Sequence, residues 1–338
     1  MKNIIFIISQ PRAGSTLLQK ILENNKQIKS SDEPWLTLSL GSLLQSDIKI
    51  SSDYDFTLAR DAINNFLKQN NLEDEFNHEM VSLIRKMYGR ISENECYFLE
   101  KTPRNYFILD YITQYFPEAK VIVLKRNLVS VVSSILNSWH DNNLNAIKSH
   151  YKDIFEAPKK IFQYSKNNTQ VFELTYQELV LNTDNVLEKL THYLDLSEPL
   201  INHYKVEKDI QFGDTIGVFK SNKVEFSSLE KWKKDTPESL CFYYWYLQNL
   251  DNSLKSFFYQ DIDELEEIEA FLLSYKYVLS KEKINHLLAI PKTMEEQLIE
   301  KEKVIHEKEK IIQQLLQIKD NFETNFYVRI LKKLGLIK

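Results

Sequence analysis

Cysteine is almost missing from this chain. Its 338 residues include two, Cys96 and Cys241. Neither belongs to a Cys-x-x-Cys pair, which argues against a structural zinc site and against a disulfide framework. Two isolated thiols suit a reducing compartment, so a cytoplasmic location is expected. Basic excess is lacking too: 43 Lys and Arg stand against 48 Asp and Glu, for a net charge of −5. That balance argues against a general nucleic-acid binder, although it leaves room for a local basic pocket around one small anion. No stretch reaches the ~20 apolar residues that a membrane span needs. The opening Met1-Lys2-Asn3 and Ile4–Ile8 have too short an apolar run for a signal peptide. The histidines are scattered without ligand spacing, and no metal is expected. There are only six glycines, so each one in a loop carries weight.

What is present is an alternation of buried strands and amphipathic helices. The continuous apolar run Ile4–Ile8 reads as a parallel strand buried on both faces. Leu17, Leu18, Ile21 and Leu22 follow at helical spacing, with Asn24 and Asn25 marking the helix end. Helical patterns fill about residues 52–95. Tyr97–Leu99 is a strand candidate, and Tyr106–Phe116 reads as a helix stopped at Pro117. Val121–Leu124 is a second buried strand, continued by a helix through Val129, Val132, Ile135 and Leu136. Gln170–Leu174 is a third, followed by one long helix over Tyr176–Tyr193. This order predicts an α/β fold, a central parallel sheet flanked by helices. Ligands of such sheets bind beyond the carboxyl ends of the strands.

One domain is expected over residues 1–290, with a helical acceptor-side insertion at about 52–95. The tail, 291–338, is rich in Glu, Lys, Gln and Ile. Leu298, Ile305 and Ile312 recur at heptad spacing, as do Val304, Ile311 and Ile318. A short coiled coil that mediates self-association is expected there, with a single exposed helix as the alternative.

Two clusters carry chemistry. The loop Ser9-Gln10-Pro11-Arg12-Ala13-Gly14-Ser15-Thr16 joins the first strand to the first helix. First-turn N–H groups and the helix dipole make such a place an anion site. Gly14 lets backbone approach the ligand, Ser15 and Thr16 add hydroxyls, and Arg12 adds a forked cation. The loop lacks the lysine and first glycine of GxxxxGK[ST], and Lys125-Arg126 stands where a magnesium-binding acid would end the second buried strand. The second cluster is Arg126 with Ser134, eight residues apart and so about two helical turns. Both can face one ligand group.

Together these clusters resemble the sulfotransferases that use 3′-phosphoadenosine 5′-phosphosulfate (PAPS), in motif layout most like bacterial and tyrosylprotein-type members. Gln10–Leu17 is similar to the family's 5′-phosphosulfate loop, with Ala13, Ser15 and Thr16 as mild departures. Arg126 to Ser134 resembles its 3′-phosphate motif, with Leu128 in place of a common proline. Glu100-Lys101-Thr102-Pro103-Arg104, Leu174–Val180, and Gly213-Asp214 followed by Lys231-Trp232-Lys233 resemble further family segments. The resemblance covers about residues 1–235.

It implies a P-loop-like sulfotransferase architecture with PAPS as donor, PAP as product and no metal. Arg12, Ala13, Gly14, Ser15, Thr16 and Leu17 would hold the 5′ end, Arg126 and Ser134 the 3′ phosphate, and Lys220, with Lys223, a closing loop. Glu33 is the candidate base, with Asp32 and His140 as rivals; the alternative for Asp32 and Glu33 is a helix cap. Lys101 and Arg12 are the candidate catalytic cations. Trp35, Tyr54 and Trp139 could shape the acceptor cleft. The acceptor is expected to be a hydroxyl-bearing molecule, a glycan or glycolipid precursor before a peptide tyrosine or small alcohol. Other readings are a small-molecule kinase of the P-loop type and a non-catalytic nucleotide-binding module whose tail recruits a partner.

Overall fold

The computed structural model describes residues 3–45, 48–50, 52–92, 96–203, 229–259, 262–289 and 326–336. Five strands form one sheet: β1 (Asn3–Ser9), β2 (Ile28–Ser30), β3 (Tyr97–Glu100), β4 (Lys120–Lys125) and β5 (Phe172–Thr175). All pairings are parallel, in the order β2-β3-β1-β4-β5. Strand β1 is central because every residue from Ile4 to Ile8 is apolar and buried, which only an inner strand with both faces covered permits.

Side chains alternate across the sheet with period two. Ile5 and Ile7 of β1, Leu99 of β3, and Ile122 and Leu124 of β4 share one apolar cluster. That face is covered by α1 (Ser15–Glu23) and later by α8 (Tyr176–Leu181) and α9 (Thr183–Tyr193). Ile4, Phe6 and Ile8, with Phe98, Val121 and Val123, enter the other cluster. Their cover comes from α2 (Leu36–Gly41), α4 (Glu73–Ile91), α5 (Leu109–Tyr115) and α7 (Ala157–Asn167). The other α-helices among the described residues up to Leu288 are α3 (Phe56–Asn70), α6 (Leu128–Trp139), α10 (Pro237–Gln248), α11 (Asn252–Phe258), α12 (Ile262–Leu273) and α13 (Lys281–Leu288).

Several elements differ from the sequence expectation. Residues 103–116 are not one helix: a 3-10 turn, Pro103–Phe107, precedes α5. The long helix at 176–193 is two, broken at Asn182, whose φ of −124° leaves the helical region. Thr175 caps the first of them through a capping box with Glu178. Helices α3 and α4 fill the insertion at 52–95. Tyr88 of α4 stacks on Phe98 of β3, with centroids 4.1 Å apart, and shares a 2.8 Å hydrogen bond with Thr37 of α2. The insertion therefore braces α2, directly after Glu33.

The chain divides into two compact units, Met1–Leu287 and Leu288–Lys338. In the second, one short helix, α14 (Phe326–Lys333), is described. The heptad positions from Leu298 to Ile318 lie outside the described residues. Among the described residues no helix is long and apolar enough to cross a membrane.

Neighbours on α4 test its docking. Ile84 is 0% exposed and Leu83 43%. Ile84→Ala is expected to cost ~2–5 kcal/mol, and Leu83→Ala to stay within ~0.5 kcal/mol, measured by urea denaturation.

Candidate active site

Sheet order reverses at β1. The chain leaves β1 for β2, returns to β3 beside β1, then crosses to β4 on the other side. The carboxyl ends of β1, β3 and β4 therefore meet at a switch point, where open α/β sheets bind ligands. Three segments converge there: Gln10–Thr16 after β1, Lys101–Asn105 after β3, and Arg126-Asn127 after β4.

The loop after β1 is held by strain and by partners. Arg12 has φ of 69° and Gly14 of 100°, the left-handed region costly for any side chain but glycine's. A Cβ on Gly14 would also lie 2.4 Å from the Tyr176 ring. Arg12 donates from Nε to Ser134 Oγ (3.2 Å) and from Nη2 to Ser138 Oγ (2.8 Å), with its guanidinium 5.6 Å from the Trp139 ring centroid. Arg126 donates from Nη1 to the Arg12 carbonyl at 2.9 Å and lies 4.4 Å over the Tyr176 ring. Arg126 and Ser134 thus meet through Arg12. Helix α1 has Gly14 as N-cap and no side-chain cap. In α6, Asn127 accepts from the N–H groups of Val129 and Ser130, and Tyr259 accepts from Leu128.

Glu33 and Lys101 form an ion pair beside the loop after β1. Lys101 is 1% exposed and Glu33 13%, and Nζ lies 2.8 Å from Oε1. Lys101 also donates to Thr16 Oγ1 at 3.4 Å, which ties the pair to the start of α1. The second Glu33 oxygen, Oε2, accepts from the Trp35 indole at 3.3 Å. Glu33 caps no helix; the N-cap of α2 is Trp35, at a left-handed φ of 53°. The Trp35 N–H donates to Thr102 Oγ1, which donates to Glu100 Oε1 at 2.7 Å. A cleft of about 190 Å³ is lined by Arg12, Gly14, Ser15, Thr16, Glu33, Trp35, Arg104 and Trp139, among others.

Of the other sequence candidates, Tyr54 is exposed and lies outside the cleft lining. His140 meets His150, Nε2 to Nε2 at 2.7 Å, and also lies outside that lining. Leu17 packs against the core, so only its backbone can serve a ligand. Lys220, Lys223 and Gly213-Asp214 lie outside the described residues. Trp232 is buried in a 3-10 turn, edge-on to Phe271.

Sequence reasoning missed Asp153. Its carboxylate accepts two bonds from Arg104, one from the Tyr106 hydroxyl and one from His150 Nδ1. Its carbonyl accepts from Gln10 Nε2. Burial alone would raise the Asp153 carboxyl; the His150 and Arg104 hydrogen bonds outweigh it and bring it to about 2. No motif surrounds Asp153, so no sequence signal could have found it. Among the described residues no cluster of His, Cys, Asp and Glu could hold a metal ion.

Glu100 is fully buried beneath Thr102 and Asn105, which both donate to it. Burial pushes its carboxyl up to about 7 against those bonds. The folded state therefore holds this proton more tightly than the unfolded chain. The associated stability is complete below pH ~4.5 and is lost as pH rises through about 7. Glu100→Gln should remove that loss: relative to wild type, the variant should gain on the order of 2–3 kcal/mol between pH 5 and pH 8, read from urea midpoints.

Three curated proteins are similar to this chain. An uncharacterised Aquifex aeolicus protein is 22% identical over 262 residues, 69% of this chain and 31% of its own length. The nodulation protein NoeE of Sinorhizobium fredii is 29% identical over 139 residues, 40% of this chain and 32% of its own. A protein-tyrosine sulfotransferase candidate of Caenorhabditis briggsae is 22% identical over 240 residues, covering 68% of this chain and 81% of that one. The chain thus spans about a third of the first two relatives' length. The sequence model of the Sulfotransferase family matches residues 4–199, which include the loop after β1, Glu33, Lys101 and Arg126. With more than half of its length matched, the chain belongs to the sulfotransferase family.

Proposed function

We propose that this chain transfers a sulfuryl group from PAPS to an acceptor hydroxyl, with a carbohydrate favoured. The observation that carries the reading is the 2.8 Å Glu33–Lys101 pair: Glu33 lines one cleft with the loop after β1, and Lys101 bonds Thr16. The donor fits the chemistry of that loop. Helix α1 keeps its first-turn N–H groups free of any side-chain cap, as an anion at a helix N-terminus requires. Arg12 to Leu17 would hold the 5′ phosphosulfate, and Arg126 with Ser134 the 3′ phosphate. PAPS brings an activated sulfuryl group.

Glu33 takes the proton of the acceptor hydroxyl, so that its oxygen attacks sulfur in line while the bond from sulfur to the bridging phosphate oxygen breaks. Lys101 is freed from the carboxylate as Glu33 is protonated, and its charge then serves the bridging oxygen on which negative charge develops. The transferred group carries one negative charge, fewer than a γ-phosphoryl group. Fixed cations and N–H donors can answer it without a bound cation. Trp35 contributes by fixing the second Glu33 oxygen, which leaves the carboxylate one geometry.

Calorimetry with PAP tests the donor assignment. The protein should bind PAP without magnesium, and Arg126→Ala should weaken binding by ~1.5–3 kcal/mol, the worth of a charged hydrogen bond. Binding of ATP that depends on magnesium, with none of PAP, would instead indicate a kinase. For the base, Glu33→Gln should abolish radiolabelled-sulfate transfer while PAP affinity is retained. Retained turnover would remove Glu33 from that role, and Asp32→Asn would then be the next variant.

A further inference from the structure

We infer that Arg104 is a specificity-determining residue for the acceptor, and that it selects an uncharged, hydroxyl-rich sugar over an acidic peptide; the inference rests on the sulfuryl-transfer reading above. Arg104 lines the cleft with Glu33 and Trp35, and its guanidinium lies 6.0 Å from the Trp35 ring centroid. One edge of that planar fork is spent. Nε donates to Asp153 Oδ1 at 3.1 Å and Nη2 to Oδ2 at 2.7 Å. Nη1 sits on the opposite edge and carries two further hydrogens. The Arg104 side chain is 34% exposed, whereas that of Asp153 is 4% exposed.

Asp153 is itself immobilised by Tyr106 and His150. Arg104 therefore presents its remaining donors in a fixed orientation, and an acceptor that takes them need not order a long side chain. The charge balance decides what kind of acceptor that is. Arg104 has its carboxylate at 2.7 Å and Lys101 has Glu33 at 2.8 Å. A neutralised pair offers an anionic peptide little net attraction, because approach to the cation is also approach to its partner. A sugar hydroxyl can accept from Nη1 at full value. The indoles of Trp35 and Trp139 in the same lining give apolar surface that suits the C–H faces of pyranose rings, beside the polar groups of Ser15, Thr16 and Glu33.

The test measures sulfate transfer from PAPS to uncharged oligosaccharides (maltotetraose, cellotetraose and chitotetraose) and to a tyrosine peptide flanked by glutamates. Wild type should modify at least one of the sugars and not the peptide. Arg104→Lys spends its single ammonium on Asp153, and Arg104→Met offers no donor. Both should raise the sugar KM about five- to tenfold, the worth of one hydrogen bond; Arg104→Lys, which keeps a donor on Asp153, should do so with kcat and PAP affinity unchanged. Asp153→Asn unmasks the guanidinium and should move relative kcat/KM toward the peptide. If that variant does not fold, the two Arg104 variants decide alone. Transfer to the peptide but to no sugar, transfer to neither while PAP still binds, or a sugar KM unmoved in both Arg104 variants would each overturn the inference. Failure of wild type to bind PAP would instead remove the donor reading beneath it.

Discussion

The crest of this molecule depends on one buried carboxylate. Asp153 receives Arg104 and Tyr106 from the turn after β3 and His150 from its own segment, while its carbonyl holds Gln10 of the loop after β1. A charge taken out of water is tolerated only when its lone pairs are satisfied. Removing one donor would leave the carboxylate buried and underpaid, and the penalty would be shared by each segment that it joins. The loop after β1, the turn carrying Lys101, and the segment leading into α7 are therefore one mechanical body.

Glu100, the last residue of β3, and Lys101, the first after it, face different partners. Glu100 points into the interior, where burial raises its proton affinity; Lys101 points toward Thr16 and Glu33. Thr102 then links the buried acid to the Trp35 backbone, and Trp35 links to Glu33. The candidate base is thereby held from both oxygens by groups whose own positions are fixed from beneath.

Much of this was legible in the sequence. Strands β1 and β4 announce themselves as apolar runs because both of their faces are covered. The loop after β1, Glu33, Lys101 and Arg126 could be singled out because residue type and order form short motifs, and the fold brings Glu33 and Lys101 within 2.8 Å. Other elements were not legible for physical reasons. Strand β2 is three residues, Ile28–Ser30, too short to show a period. The break at Asn182 interrupts a helical apolar pattern that runs through it unchanged, so only the backbone reveals it. Asp153 is isolated in sequence and acquires its meaning from partners 47 and 49 positions away. The link from Arg12 to Ser134 and Ser138 likewise required the fold, since sequence spacing had paired Ser134 with Arg126.

Two helices, α1 and α6, begin at the same edge of the sheet, and each should bring partial positive charge to its N-terminus. They are treated oppositely. Asn127 and Tyr259 consume the opening N–H groups of α6, whereas Gly14 contributes no side chain to those of α1. Selectivity between these two helix starts would thus arise by subtraction: one electrostatic well has been filled internally, and the other is left without a side-chain cap. A chain in which Asn127 lost its amide would open a second well a few residues from Arg126, a rival to the uncapped start of α1.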